Sequence, residues 1–223
     1  TGIMPNNDYD RYNFSFRNTT NFLNNKFILD TSANYIIQND KNMVSQGQYF
    51  NPLTSLYLFP RGEDFSDVAV YERYDDLSGV NTQYWPYGDL GGVSSQNPYW
   101  IMNRMNREND RRRYKLAASL QYNIIEGLNV QGRVSIDNTE SKYTEKFHAG
   151  TVGNFAGPKG RYKEENRLDR QVYADVLANF NKTFNEFNVT ANLGASIKDL
   201  RMELTSLHGD LNNVTNHFRS EER

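Results

Sequence analysis

The sequence contains no cysteine. That excludes a disulfide framework, a thiolate metal site and a cysteine nucleophile. Charge imbalance is also missing: 25 basic against 27 acidic residues leave a net charge of −2. A nucleic-acid binder would carry a basic stripe, so nucleic acid is not an expected partner. Long hydrophobic runs are absent. Segments such as Leu56-Tyr57-Leu58-Phe59 fall far short of the roughly 18 apolar residues of a transmembrane helix. A mean hydropathy of −0.80 fits that lack, yet it leaves room for a β-barrel, whose strands are only half apolar. His148, His208 and His217 are scattered without metal-ligand spacing, so no metal and no cofactor is expected. The sequence begins without methionine or a charged leader and ends without a terminal strand, and both ends read as cut from something longer.

What is present is a two-residue period. From Tyr114 to Phe147 the apolar residues Leu116, Ala118, Leu120, Tyr122 and Ile124 alternate with Ala117, Ser119, Gln121 and Asn123. After Ile125-Glu126-Gly127, Leu128, Val130, Gly132, Val134 and Ile136 alternate with Asn129, Gln131, Arg133, Ser135 and Asp137. Successive strand side chains point to opposite faces, so this is a hairpin with one oily and one wet side. Both arms are even-numbered on the apolar side, which requires an odd loop. A three-residue loop with Gly127 in the left-handed region meets it and pairs Tyr122 with Val130 and Ser119 with Arg133.

Two sister hairpins follow the same logic with the other parity. Tyr12, Phe14 and Phe16 precede Asn24-Asn25, and Phe27, Leu29, Thr31, Ala33, Tyr35 and Ile37 follow it. An even turn is required, which pairs Phe22 with Phe27, Phe16 with Ala33 and Phe14 with Tyr35. Val172, Ala174, Val176, Ala178 and Phe180 likewise precede Asn185-Glu186, and Val189, Ala191, Leu193, Ala195 and Ile197 follow it. The expected hairpins span about 9–38, 112–147 and 167–198. The segments between them, about 40–110 and 148–164, together with 200–223, are expected to be irregular. The first contains Pro52, Pro60, Pro86 and Pro98. Short turns at one end and long loops at the other are the pattern of outer-membrane barrels, with short periplasmic turns and long extracellular loops. Strands of roughly 9–11 residues cross a bilayer, longer than those of most soluble sheets. The expected fold is therefore all-β: an antiparallel up-and-down barrel segment of about six strands. Phe22, Phe27, Phe184 and Phe187 would contribute to its lower aromatic girdle.

On this reading Gln121, Gln131, Arg133, Asp137, Asp175 and Asn179 face the lumen. Arg104, Arg107, Arg111, Arg112 and Arg113 form a basic group before the central hairpin. It is either a solvated loop base or a rim that pairs with lipopolysaccharide phosphates. Tyr57, Tyr84, Trp85, Tyr87, Tyr99 and Trp100, together with Phe59, either stack on substrate or contact a lid, or pack the long connection into a compact unit. Paired carboxylates at Glu63, Asp64 and Asp67, and at Asp75 and Asp76, are the one hint of glycoside hydrolysis. Nothing fixes their separation, and charged loop residues are ordinarily solvated. Catalysis is not expected.

Ile3-Met4-Pro5 with Tyr12-Asn13-Phe14-Ser15-Phe16-Arg17-Asn18-Thr19 resembles an early barrel strand of the SusC/RagA family of TonB-dependent outer-membrane transporters of Bacteroidetes. So do Asn51 to Gly62, Asn97-Pro98-Tyr99-Trp100-Ile101 with Asn103-Arg104, Gly132-Arg133-Val134 with Asp137, and Leu193-Gly194-Ala195-Ser196. The resemblance implies a barrel of about 22 strands filled by an N-terminal plug. It further implies a SusD-like surface lipoprotein partner, energy from TonB, and import of glycans or peptides. Plug and TonB box are not expected within these residues. Two other readings compete. A soluble carbohydrate-binding β-sandwich predicts two packed sheets. A glycosidase fragment predicts two carboxylates converging in one cleft.

Overall fold

A computed structural model describes residues 4–43, 47, 49–87 and 96–218. Six strands form one antiparallel sheet: β1 (Asp8–Phe22), β2 (Phe27–Lys41), β5 (Met105–Ile125), β6 (Leu128–His148), β7 (Gly160–Phe184) and β8 (Phe187–Asp210), in that order across the sheet. The connection between β2 and β5 carries α1 (Pro52–Leu58), a 3-10 turn (Phe65–Ala69), the small hairpin β3 (Glu72–Asp75) and β4 (Val80–Gln83), and α2 (Pro98–Arg104). It is shorter and far more structured than the irregular segment expected over 40–110.

The parity arguments fix the pairing. Phe22 pairs with Phe27, Phe16 with Ala33 and Phe14 with Tyr35. Tyr122 pairs with Val130 and Ser119 with Arg133. Asn24 and Asn25 take the positive φ that a tight even turn needs, inside a Leu23–Lys26 turn closed by the Lys26 amide donating to the Leu23 carbonyl at 3.2 Å. The odd central loop resolves as a Glu126-Gly127 turn under an Ile125–Leu128 pair, and an irregularity between Asn123 and Ile125 absorbs the extra residue. Gly127 has φ +85°. A Cβ there would stand 2.5 Å from the Asn181 carbonyl oxygen, because the Asn181 amide donates to the Gly127 carbonyl at 2.7 Å.

The strands run farther outward than the apolar pattern alone marks. β5 starts at Met105, and β8 continues as strand to Asp210, where 200–223 was expected to be irregular. The residues beyond the band are mixed, with Leu200, Met202, Leu204 and Leu207 exposed among polar neighbours on β8, and the ladder carries them: Arg161 pairs with Asp210 and Gln171 with Leu200.

Cross-strand rows show what the apolar face is. The row through Tyr12 passes Ile37, Arg112, Glu140 and Leu168 and reaches β8 at Glu203. The unbroken apolar run of that face on β8 ends at Ile197, six residues lower, and on β5, β6 and β7 the corresponding runs end at Tyr114, Ile136 and Val172. The lower border shifts alike: the row through Phe22 reaches β8 at Leu193, but the apolar face continues six residues to Phe187. A slip of six residues over five strand-to-strand steps, at ~3.3 Å per residue and ~4.8 Å between strands, corresponds to strands tilted by about 40° to the band. Transmembrane barrels tilt by roughly 35–45°. Tyr12–Phe22, Phe27–Ile37 and Phe187–Ile197 each give eleven residues of band, which at this tilt rise about 25 Å, the height of the apolar belt of outer-membrane barrels.

That face is open. Leu193 and Ile197 on β8 are 79% and 71% exposed, and Phe14 and Phe16 lie exposed on β1 at the opposite edge of the sheet. The sandwich reading required a second sheet packed on it. The other sheet among the described residues is β3–β4, which belongs to the outer connection. No helix among the described residues is long and apolar enough to cross a membrane, which leaves strand-built membrane proteins untouched.

The buried core sits instead at the outer end of the sheet. Trp100, Ile101, Met105, Phe147 and Ala156 cluster there, with Phe50, Tyr71 and Phe155 packed against them. Met105 and Phe147 pair directly and share the parity of Arg133 and Ser119, so the connection folds over the polar face. Asn42, fully buried at φ +51°, ties this end together. Its side chain donates to the carbonyls of Asn6 and Met102, both at 2.9 Å, and accepts from the Arg107 amide at 2.8 Å.

The variant Gly127→Ala tests the turn chemistry. It combines a positive φ with a backbone clash, so the yield of folded protein in the membrane should fall sharply, while Glu126→Ala at the same turn should leave it unchanged. Quantifying folded protein by resistance to protease distinguishes the two.

Candidate functional site

Gln121, Gln131, Arg133, Asp137, Asp175 and Asn179 all fall on the polar face, because register and parity place them there together. They form separate pairwise contacts, most of them across strands, rather than one pocket. Arg133 faces Asp175 and donates its Nε to both carboxylate oxygens, at 2.9 and 3.0 Å. Asp175 is buried beneath it. Asp137 accepts from Arg113 at 2.8 and 2.6 Å. Asn179 donates to Asn129 at 2.9 Å, and Gln121 donates to Asn123 at 2.9 Å. Gln131 lies opposite Gln121. A further pair, Arg17 with Asp30 at 2.8 Å and Thr19 donating to the same carboxylate, continues the row on β1 and β2. Sequence reasoning missed that Asp30 joins this row, because its place opposite Ser119 depends on the β2–β5 register, which joins strands separated by the long connection.

Between these ion pairs lies a hollow of about 330 Å³. Small residues floor it (Ser32, Ala117, Ser119, Ser135), and Asp30, Lys115, Arg133 and Tyr173 wall it. Charged walls over a small-residue floor leave room for a polar chain to pass or seat against the wall.

The basic group divides. Alternation makes it impossible for Arg111, Arg112 and Arg113 to face one way. Arg111 and Arg113 share the polar face with Arg107, and Arg112 alone faces outward with the apolar band. Arg104 ends α2 and forms a two-point pair with Glu72, at 2.7 and 2.8 Å, inside the outer unit. The expectation of a five-arginine rim is corrected accordingly: these residues are not a loop base, since four of them lie on β5.

The aromatic set divides too. Trp100 is fully buried and donates its indole N–H to Thr151 Oγ1 at 3.1 Å, so it packs the connection and offers no face to a ligand. Tyr99 stacks on Tyr71, and the Arg73 guanidinium covers Tyr84 at 3.3 Å from the ring centre. Trp85 and Tyr87 meet edge to face, and Phe59 packs on Tyr87. Tyr57, at 89% exposed, presents an open ring. The acidic residues act locally: Asp64 accepts from the Ser66 amide at 2.9 Å, and Asp75 accepts from the Ser78 hydroxyl at 2.6 Å. Those contacts hold both carboxyls below the usual range, as befits caps rather than a proton donor.

His148 ends β6 against this unit, edge to face with Phe218 at 5.0 Å. Burial first, then the nearby Arg104 guanidinium, pushes its pKa down to about 4, with Glu72 opposing. Once the unit opens, the imidazole returns to about 6.5. Between these values the opened state binds the extra proton, so the closed state weakens as pH falls from about 6.5 to about 4. Amide exchange across Trp100–Met105 should quicken over that window, and His148→Gln should flatten the response.

No protein-family model matches the chain, and no curated protein matches it. Solved structures do match. The RagAB peptide importer in its closed-closed state aligns with TM-score 0.62 and 14% identity, covering 96% of this chain and 23% of that one. The RagAB peptide transporter and the importer in its open-open state each align with TM-score 0.63 at the same identity and coverage. The chain thus spans under a quarter of the proteins it resembles, and what it shares with them is a fold: a run of antiparallel barrel wall.

Proposed function

We propose that this chain is a wall segment of a TonB-dependent importer in the outer membrane of a Gram-negative cell. The observation that carries the reading is the slanted apolar band, about 25 Å tall on strands tilted by about 40°. Its apolar face meets lipid. Its polar face, with Gln121, Gln131, Arg133, Asp137, Asp175 and Asn179, lines the lumen against a plug supplied by residues outside this chain. No bond is made or broken: substrate binds, and the plug moves under force relayed by TonB.

The likeness to the RagAB peptide importer supports an oligopeptide as substrate, with glycans the other class that the sequence resemblance implies. A SusD-like surface lipoprotein would meet the outer connection, where Tyr57 presents its ring. The ion pairs Arg133–Asp175 and Arg113–Asp137 neutralise charge along the lumen, which suits passage of zwitterionic or uncharged cargo better than a wall of one sign.

The absence of cysteine makes a labelling test direct. Single cysteines at Leu120, Val134 and Leu193 should resist a membrane-impermeant maleimide in intact outer membranes. Those at Gln121, Ser135 and Asn192 should react once the lumen is reached from the periplasm. Labelling without this alternation contradicts the wall assignment. Uptake of labelled oligopeptides and oligosaccharides by cells with and without the protein then separates the two substrate classes.

A further inference from the structure

Directly above the slanted border, the outward face carries two arginines with no hydrogen-bond or ion-pair partner among the described residues. Arg112 lies one position beyond Tyr114 on that face of β5, and Arg170 one beyond Val172 on β7. Because the border descends across the sheet, the two stand at equal height. Their Cα atoms are about 12 Å apart, two strand spacings across and two residues along. Asn138 lies between them on β6, buried at 4% exposure. Both arginines are on inner strands whose neighbours on each side are present, so no adjoining strand supplies a missing partner.

Other cations of this face are engaged, Lys142 with Glu164 at 3.3 Å, Lys146 with Glu108 at 2.8 Å, and Arg201 with Glu203, while Lys41 on β2 stands opposite Glu108 and Lys182 lies over the Phe184 ring at the opposite border. Arg170 is paired in register with Arg201, an arrangement of like charges that destabilises a sheet when nothing lies between them. Glu140 stands opposite Arg112 but accepts from Asn138 Nδ2 at 3.3 Å instead. Above them opens a hollow of about 500 Å³, lined in part by Asp110, Arg112, Glu140, Lys142, Leu168 and Glu203.

We infer that Arg112 and Arg170 clamp the phosphate of an outer-leaflet lipid headgroup over Asn138. This rests on the wall reading above. A guanidinium from each side converges on one phosphate, its acyl chains descend along Val134, Ile136 and Val172, and its sugar or further headgroup enters the hollow. Two planar, always-charged forks suit a phosphate better than lysines would. The carboxylates Asp110 and Glu140 bound the site above and set it against a headgroup with more than one adjacent phosphate.

The test uses protein purified from outer membranes in detergent, with its thermal midpoint followed against added lipid. Phosphorylated lipopolysaccharide should raise the midpoint, and Arg112→Gln/Arg170→Gln should shift half-saturation about tenfold higher. Lipopolysaccharide stripped of phosphate should act on the native protein as the phosphorylated form acts on the variant. Inorganic phosphate alone at equal concentration should have no effect. Arg112→Lys/Arg170→Lys, which keeps charge and strand propensity, should lie between, and serves if the glutamine pair fails to fold. Equal half-saturation for native and variant protein overturns the clamp, and an equal response to inorganic phosphate overturns its lipid origin. Quenching of Leu193→Trp by brominated acyl chains separates the two levels. Quenching without a phosphate effect removes the headgroup site alone, and no quenching removes the wall reading beneath it.

Discussion

Backbone polar groups left unpaired in hydrocarbon are so costly that a strand can cross a bilayer only as part of a continuous hydrogen-bonded ladder. Everything else in this chain hangs on that ladder. From β1 to β8 each strand is paired along nearly its whole length, and the pairing fixes which side chains share a face. Turn parity sets the ladder: an even turn at Asn24-Asn25, an odd loop absorbed at Ile124 with Gly127 in the left-handed region, and an even turn at Asn185-Glu186. A slip of one residue would send an apolar face to water and a charged face to lipid. The outer edges of β1 and β8 remain open pairing templates, which further strands of a closed barrel would satisfy.

The two faces then solve different problems. Outward, the apolar band is bordered below by Phe22, Phe27, Phe184 and Phe187 and above by Tyr12, Tyr35 and Tyr114, with phosphate-seeking arginines beyond. Inward, the ion pairs Arg133–Asp175 and Arg113–Asp137 cross between strands, with Asp175 buried in mid-sheet, and the outer connection covers the upper end of that face. That connection is a small folded unit in its own right, with Trp100 as its centre and Asn42 binding it to the starts of β1 and β5. Its placement over the polar face turns what looked like a long loop into a cover for the wall's outer mouth.

Much of the ladder was legible in the sequence, because period-two alternation and loop parity are local and depend on few residues. The Phe14–Tyr35 and Ser119–Arg133 pairs needed only the positions of the apolar residues and the turns. The strands beyond the band were less visible: Arg111-Arg112-Arg113 and Glu140 to Thr144 have no apolar alternation, and their strand character comes from neighbours in the ladder. The same blind spot made one group of arginines that the sheet divides between two faces. Trp100 looked like a ligand platform because an aromatic residue in a loop does not announce whether it is buried. Its partners, Met105, Phe147 and Thr151, come from two other segments and meet only in three dimensions. The tilt was hidden as well, since the β2–β5 and β6–β7 registers were needed before the border could be seen to slant.

The central claim is that the apolar face is a bilayer-spanning band crossed by strands tilted by about 40°. Immersion depth of single spin labels in the reconstituted protein tests it most directly. Labels at Tyr12, Tyr114 and Ile197 should report one common depth at the outer interface, although the ladder sets Tyr12 level with Glu203. A label at Glu203 should lie wholly in water. Depths that instead follow the hydrogen-bonded row, with Tyr12 and Glu203 equally immersed, or labels at Leu193 and Val134 that contact no lipid, would contradict the account.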